Sequence, residues 1–169
     1  NLGHMTPSIV PLQSERLRLL PVEQKHADGM YPLLKDASLY RYTGGQPPAN
    51  LDAVSCWFSA LESRLSADKK ELWFTWILNT HEQAACIGYV QATVKESTAE
   101  LAWLVGTEFQ RLGYASEAVA CLANWLQNDD ITSLQAYIHP GHEASQKIAA
   151  SVGLRKTATQ VDDEDLWQS

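Results

Sequence analysis

Between positions 72 and 105, three runs rich in aromatic and β-branched residues follow one another, at 72–78, 86–94 and 99–105. The polar stretch Asn79-Thr80-His81-Glu82-Gln83 lies between the first two and Lys95-Glu96-Ser97-Thr98 between the second and third. Links this short turn a strand back on its neighbour, so the block predicts an antiparallel meander. A further strand at 17–22 follows Ser14-Glu15-Arg16 and is ended by Pro21. Between it and the meander, Ala27, Met30, Leu33 and Leu34 recur at helical spacing within 23–39, with Pro32 predicting a kink or two short pieces. After the breaker Gly44-Gly45-Gln46-Pro47-Pro48, a second helix places Ala53, Trp57, Phe58, Leu61 and Leu65 on one face, with Asp52 near its start. Beyond the meander, Val119, Leu122 and Leu126 mark a helix over 116–127, and 134–138 reads as a short strand. A helix over 143–152 stops at Gly153, and 154–161 pairs with 165–168 across Asp162-Asp163-Glu164. The order β, α, α, β, β, β, α, β, α, β, β predicts a mixed α/β domain, its sheet mostly antiparallel and flanked by helices.

Composition narrows the function. A formal charge of −7 repels phosphate backbones, which argues against a nucleic-acid binder. No apolar run approaches a membrane span, and no N-terminal stretch pairs a basic start with an apolar run, so a cytoplasmic chain without a membrane partner is expected. Cys56, Cys86 and Cys121 form neither a CxxC pair nor an even framework, which suits a reducing compartment. The opening Asn1-Leu2-Gly3-His4-Met5 reads as an expression-tag remnant, leaving one domain over 6–169. Trp57, Trp73, Trp76, Trp103 and Trp125 read mainly as core material.

The stretch from Leu101 to Ala118 carries the chemistry: an apolar strand, a short loop with Gly113 and Ala115, and the start of a helix. Free amides and partial positive charge at a helix start hold a pyrophosphate without lysines. Gly113 permits a turn that side chains forbid, and Ala115 permits close approach of a ligand. The same residues also describe an ordinary strand-to-helix connection. Neither GxxxxGK[ST] nor GxGxxG occurs, so nucleoside-triphosphate and dinucleotide loops are excluded.

Gln110-x-x-Gly113-x-Ala115 is similar to the acyl-CoA motif Q/R-x-x-G-x-G/A of the GNAT acetyltransferase superfamily. Ser14-Glu15-Arg16-Leu17-Arg18-Leu19 resembles its first strand and Ile87-Gly88-Tyr89-Val90 its third. Ala99-Glu100-Leu101, Gly113-Tyr114-Ala115-Ser116-Glu117-Ala118 and the late Ala144-Ser145…Val152-Gly153-Leu154 resemble the RimJ/RimL-like branch, which acts on protein N-termini and includes ribosomal-protein alanine acetyltransferases. The resemblance implies a GNAT-like fold and acetyl transfer from acetyl-CoA, the cosubstrate, to a primary amine on a protein N-terminus or a small molecule, with no metal. It places the pantetheine arm along Trp103, Leu104 and Val105. The pyrophosphate then falls on Gln110 and the backbone of Arg111, Leu112, Gly113, Tyr114, Ala115 and Ser116. His142 stands where the family has an asparagine, as a coenzyme contact or a helix cap.

Direct transfer with both substrates bound needs a proton acceptor for the amine and a donor for the leaving thiolate, and no protein nucleophile. By the resemblance, Glu100 is the candidate base or relay and Ser145 the candidate thiol-side donor. The family's common tyrosine acid has no counterpart, since Ile148, Ala149 and Ala150 follow. That keeps open an alternative, a catalytically idle acyl-CoA-binding sensor or partner module; a homodimer is also left open. His139-Pro140-Gly141-His142 lacks a third ligand at metal spacing and reads as a structural or coenzyme-side pair. In the family, the loop matching Tyr40-Arg41-Tyr42-Thr43-Gly44-Gly45 covers the acceptor pocket.

Overall fold

The computed structural model describes residues 8–127 and 130–169, so the tag-like opening at 1–5 lies outside the described residues. The strands are β1 (Leu12–Gln13), β2 (Leu17–Pro21), β3 (Leu72–Thr80), β4 (Cys86–Lys95), β5 (Thr98–Val105), β6 (Ser133–Ile138), β7 (Arg155–Val161) and β8 (Glu164–Gln168). The helices are α1 (Ala27–Leu34), α2 (Leu51–Leu61), α3 (Tyr114–Gln127) and α4 (Glu143–Ser151). They build one eight-stranded sheet in the order β1-β2-β3-β4-β5-β6-β8-β7. Every neighbouring pair is antiparallel except β5 and β6, which run parallel.

Strand alternation splits the core in two. Leu72, Phe74, Trp76 and Leu78 of β3, with Val90, Ala92 and Val94 of β4, face the side covered by α3 and α4. There Trp125 packs edge-on against Trp76, with ring centroids 5.2 Å apart. Ile77, Tyr89 and Leu104 face the other side and pack with Val54, Phe58 and Leu61 of α2 and with Met30 and Leu34 of α1. Gly88 brings β4 hard against β5, because a Cβ there would lie 2.1 Å from the Leu104 carbonyl oxygen.

Several expectations need correction. The buried face of α2 is Val54, Phe58 and Leu61; Ala53 is exposed and Leu65 lies past the helix end, bridged to Leu72. The α2 cap is Asn50, whose side chain accepts the Ala53 N–H at 2.8 Å, while Asp52 sits in the first turn. The 23–39 helix is three pieces, with α1 flanked by 3-10 turns at Gln24–His26 and Ala37–Tyr40. Of the tryptophans read as core, Trp76 is fully buried, whereas Trp57 and Trp73 remain 37% and 36% exposed. β1 has no counterpart among the expected elements; two residues carry too little pattern to announce a strand.

Candidate active site

Pairing between β5 and β6 covers only Thr98–Glu100 against Ser133–Gln135, after which the two strands part. The Gly106 N–H donates to the Ile87 carbonyl at 2.8 Å, which fixes the alternation along β5. Leu104 therefore turns its backbone toward β4, while Trp103 and Val105 turn theirs into the gap. The cleft thus presents the strand edge at Trp103 and Val105; Leu104 instead packs its side chain under α1 and α2.

Where β5 ends, the chain makes the turn that opens α3. Arg111 and Gly113 both have positive φ, +63° and +84°, on either side of Leu112. Such alternation turns successive amides to one side as an anion-binding nest. Helix α3 begins at Tyr114, so the N–H groups of Tyr114, Ala115 and Ser116 have no carbonyl one turn back. The Gln110 side chain donates to the Val105 carbonyl at 3.0 Å, pinning the turn to the strand end rather than reaching outward.

One cradle residue was not legible as such: Arg16. Its guanidinium donates to the Leu112 carbonyl at 2.9 Å, lies 4.4 Å from the centre of the Tyr114 ring and pairs with Glu117 at 2.7 Å. Burial alone would raise the Glu117 carboxyl, but the Ser14 hydroxyl and the Arg16 backbone and side chain hold it below the usual range. These contacts cross about a hundred residues of sequence, and no local signal announces them.

On the α4 side of the cleft, the Trp103 indole N–H donates to Ser145 Oγ at 3.1 Å, and Ser145 Oγ lies 3.2 Å from His142 Nε2. Burial, and then the nearby His139, hold the His142 imidazole below the ordinary histidine range, which favours its neutral form. Tyr42 stacks on His142 with centroids 4.9 Å apart and touches His139 at 5.4 Å. The same segment is tied to the far side of the cleft, where Thr107 donates to Asp36 at 2.6 Å. Residues 36–42 therefore form a strap across the open end, from the end of β5 to the loop after β6.

Glu100 occupies the last paired position of β5 and faces the α2 side, opposite to Ser145. Burial raises its carboxyl; a hydrogen bond from Gln135 opposes this, and Glu71 adds to it. Cys86 and Cys121 are half-buried with thiols raised by burial, and Cys56 is exposed; all three are free. Among the described residues, no group of three or more His, Cys, Asp or Glu side chains is placed to hold a metal ion. No described helix is long and apolar enough to cross a membrane.

A parted parallel strand pair ending in an amide nest defines a class. Residues 16–155 match the model of the acetyltransferase (GNAT) domain, and the chain belongs to that family. It is an acetyl-CoA-dependent N-acetyltransferase. Its fold is similar to RimL, the ribosomal L7/L12 alpha-N-protein acetyltransferase solved with coenzyme A, at TM-score 0.80, 12% identity and coverage of 95% of this chain and 97% of that one. An acetyltransferase from Agrobacterium tumefaciens aligns at TM-score 0.75 and 21% identity over 99% and 98% of the two chains. AAC(6')-Ib with ribostamycin and coenzyme A aligns at 0.74 and 14% over 92% and 93%. No curated protein sequence matches the chain.

Proposed function

We propose that the protein transfers the acetyl group directly to a primary amine, of a small molecule or a protein N-terminus, within a ternary complex in the cytoplasm. The observation that carries this reading is the cleft itself, with an anion nest at its open end and Glu100 and Ser145 on opposite faces of the sheet. Acetyl-CoA lays its pyrophosphate on the amides of 111–116 and its pantetheine arm along the edges of Trp103 and Val105. The family's chemistry requires nothing more exotic than a neutral amine held against the thioester.

The amine approaches from the α2 face, where Glu100 accepts its proton. About 10 Å of strand separates Glu100 from Trp103, so a water carries the proton over part of the way. Attack of nitrogen on the carbonyl carbon forms an oxyanion, for which an N–H of the parted edge is the donor. The C–S bond then breaks; the Ser145 hydroxyl steadies the leaving thiolate by donating a hydrogen bond to sulfur, and the thiolate takes its proton from water while Glu100 returns the amine proton to solvent. Neutral His142, as the Nε2–H tautomer, donates to Ser145 Oγ alongside Trp103, which fills both lone pairs and leaves the hydroxyl proton free to point at sulfur.

Thiol release with acetyl-CoA and a panel of primary amines tests the reading. Turnover that requires the amine and yields one N-acetylated product per thiol supports it. Acetyl-CoA binding with no amine-dependent thiol release across the panel would instead make the chain a binding module.

A further inference from the structure

Helices α1 and α2 cover the row Ile77, Tyr89 and Leu104 but leave the next rows of that sheet face open. Two adjoining cavities lie there. One, of about 250 Å³, is lined by Trp57 and Leu61 of α2, Trp73 and Thr75 of β3, and Gln91 and Thr93 of β4. The other, of about 240 Å³, is lined by Glu71, Thr93, Lys95, Glu96, Glu100 and Gln135. Thr93 belongs to both. The Trp73 indole N–H donates to Glu71 at 3.0 Å and joins the aromatic wall of the first to the acidic wall of the second.

Resting on the reading of direct transfer to an amine, we propose that the acceptor is a primary amine held by a short aliphatic chain to an uncharged aromatic ring. Two large indoles more than one-third exposed on one cavity offer the ring a flat apolar seat. The lining of that cavity holds no charged side chain, so a second ammonium, as in a polyamine, would enter it without a counter-ion. The further ammonium groups of an aminoglycoside would lack a counter-ion there in the same way, and a phosphate would meet three carboxylates, Glu71, Glu96 and Glu100, against the single cation Lys95. The amine end points past Gln91 toward the β5 edge at Ala102, next to Trp103, with one water between it and the Glu100 carboxylate. Trp73, Thr93 and Glu100 share one cross-strand row, so ring seat and base stand two strand spacings, about 10 Å, apart. That span suits a ring, a two- or three-carbon chain and an amine.

The same chemistry occurs in a free arylalkylamine and at a chain terminus with an aromatic first residue. Thiol release is therefore compared for 2-phenylethylamine, spermidine, ribostamycin, and pentapeptides beginning with Phe or Ala, in the parent, Trp57→Ala, Trp73→Ala and Trp73→Phe. The expected result is at least roughly tenfold higher kcat/KM for an aromatic acceptor than for spermidine, ribostamycin or the Ala peptide. Phenylethylamine ahead of the Phe peptide assigns the free amine; the reverse order assigns the chain terminus. Either alanine variant should raise the KM of the aromatic acceptor about tenfold with the acetyl-CoA KM unchanged, and Trp73→Phe should restore most of it. Preference for spermidine, ribostamycin or the Ala peptide overturns the proposal while leaving acetyl transfer intact, as does an unchanged KM in both alanine variants. If no amine turns over, acetyl transfer fails, and saturable quenching of tryptophan fluorescence by 2-phenylethylamine decides the proposal alone. Quenching lost in Trp57→Ala and Trp73→Ala supports it, and absent quenching overturns it.

Discussion

Glu100 shows how one side chain can be placed by a sheet and tuned by its neighbours. It lies where β5 and β6 still pair, one residue before they part, and burial raises its carboxyl against the hydrogen bond from Gln135. A base is active when ionised, so a raised pKa moves the acid limb of the rate profile above the ordinary carboxylate range, with activity increasing as pH rises through it. Glu100→Gln should lower turnover roughly 100-fold, within the usual span of general-base catalysis, and abolish that limb. Acetyl-CoA affinity should be unchanged, because the cradle is on the opposite end of β5. A pH–rate comparison of the two proteins checks both; an unaltered profile would return the proton to water alone.

At the scale of elements, the decisive unit is the turn into α3. On the proposed reading, this turn lets a chain of formal charge −7 hold a polyanion through backbone amides, with Arg16 behind them. A Cβ on Gly113 would lie 3.2 Å from the Arg16 guanidinium, at a φ of +84°. Gly113→Asp therefore brings strain, bulk and a negative charge to the nest, even though Arg16 would neutralise part of that charge. Loss of two charge-assisted hydrogen bonds, each about 1.5–3 kcal/mol, raises the acetyl-CoA dissociation constant roughly 100-fold or more. Calorimetric titration reads this directly, and parent-like affinity would move the coenzyme elsewhere. The turn was legible from sequence because its requirements are local: a glycine, a small residue and a helix start. Its support by Arg16 and Glu117, like the stacking of Tyr42 on His142, was not, since each contact closes a long loop.

For the molecule as a whole, ligand and fold are linked by mass action. Acetyl-CoA bound in the proposed cleft requires the folded chain and should stabilise it by about 2.7 kcal/mol at a concentration one hundred times its dissociation constant. A thermal-shift titration should show a rise that Gly113→Asp loses. The meander, the helix over α3 and the final hairpin were readable because short links and strict periodicity leave few alternatives. What periodicity did not say is how much of each sheet face a helix covers. In β3, Trp73 alternates with the buried Leu72 and Phe74, so its opposite orientation was present in the pattern. Whether it was covered depended on α2, and α2 shields Ile77 while stopping short of Trp73.

Among the described residues, three registered residue pairs, together with the Thr132 and Ser133 N–H groups on the Ser97 carbonyl, join the β1–β5 part of the sheet to the β6–β8 part. Beyond that joint, the two parts are bridged by the packing of α3 on α4 and by the strap from Thr107 to His142. Five residues of β5 beyond the joint span about 17 Å, so a tilt of about 5° moves the tip by about 1.5 Å, close to the length of one methylene. With the thioester in the proposed cleft, turnover of acyl donors longer than acetyl should therefore respond to substitutions between α3 and α4, remote from the thioester, which a comparison of acetyl-, propionyl- and butyryl-CoA checks.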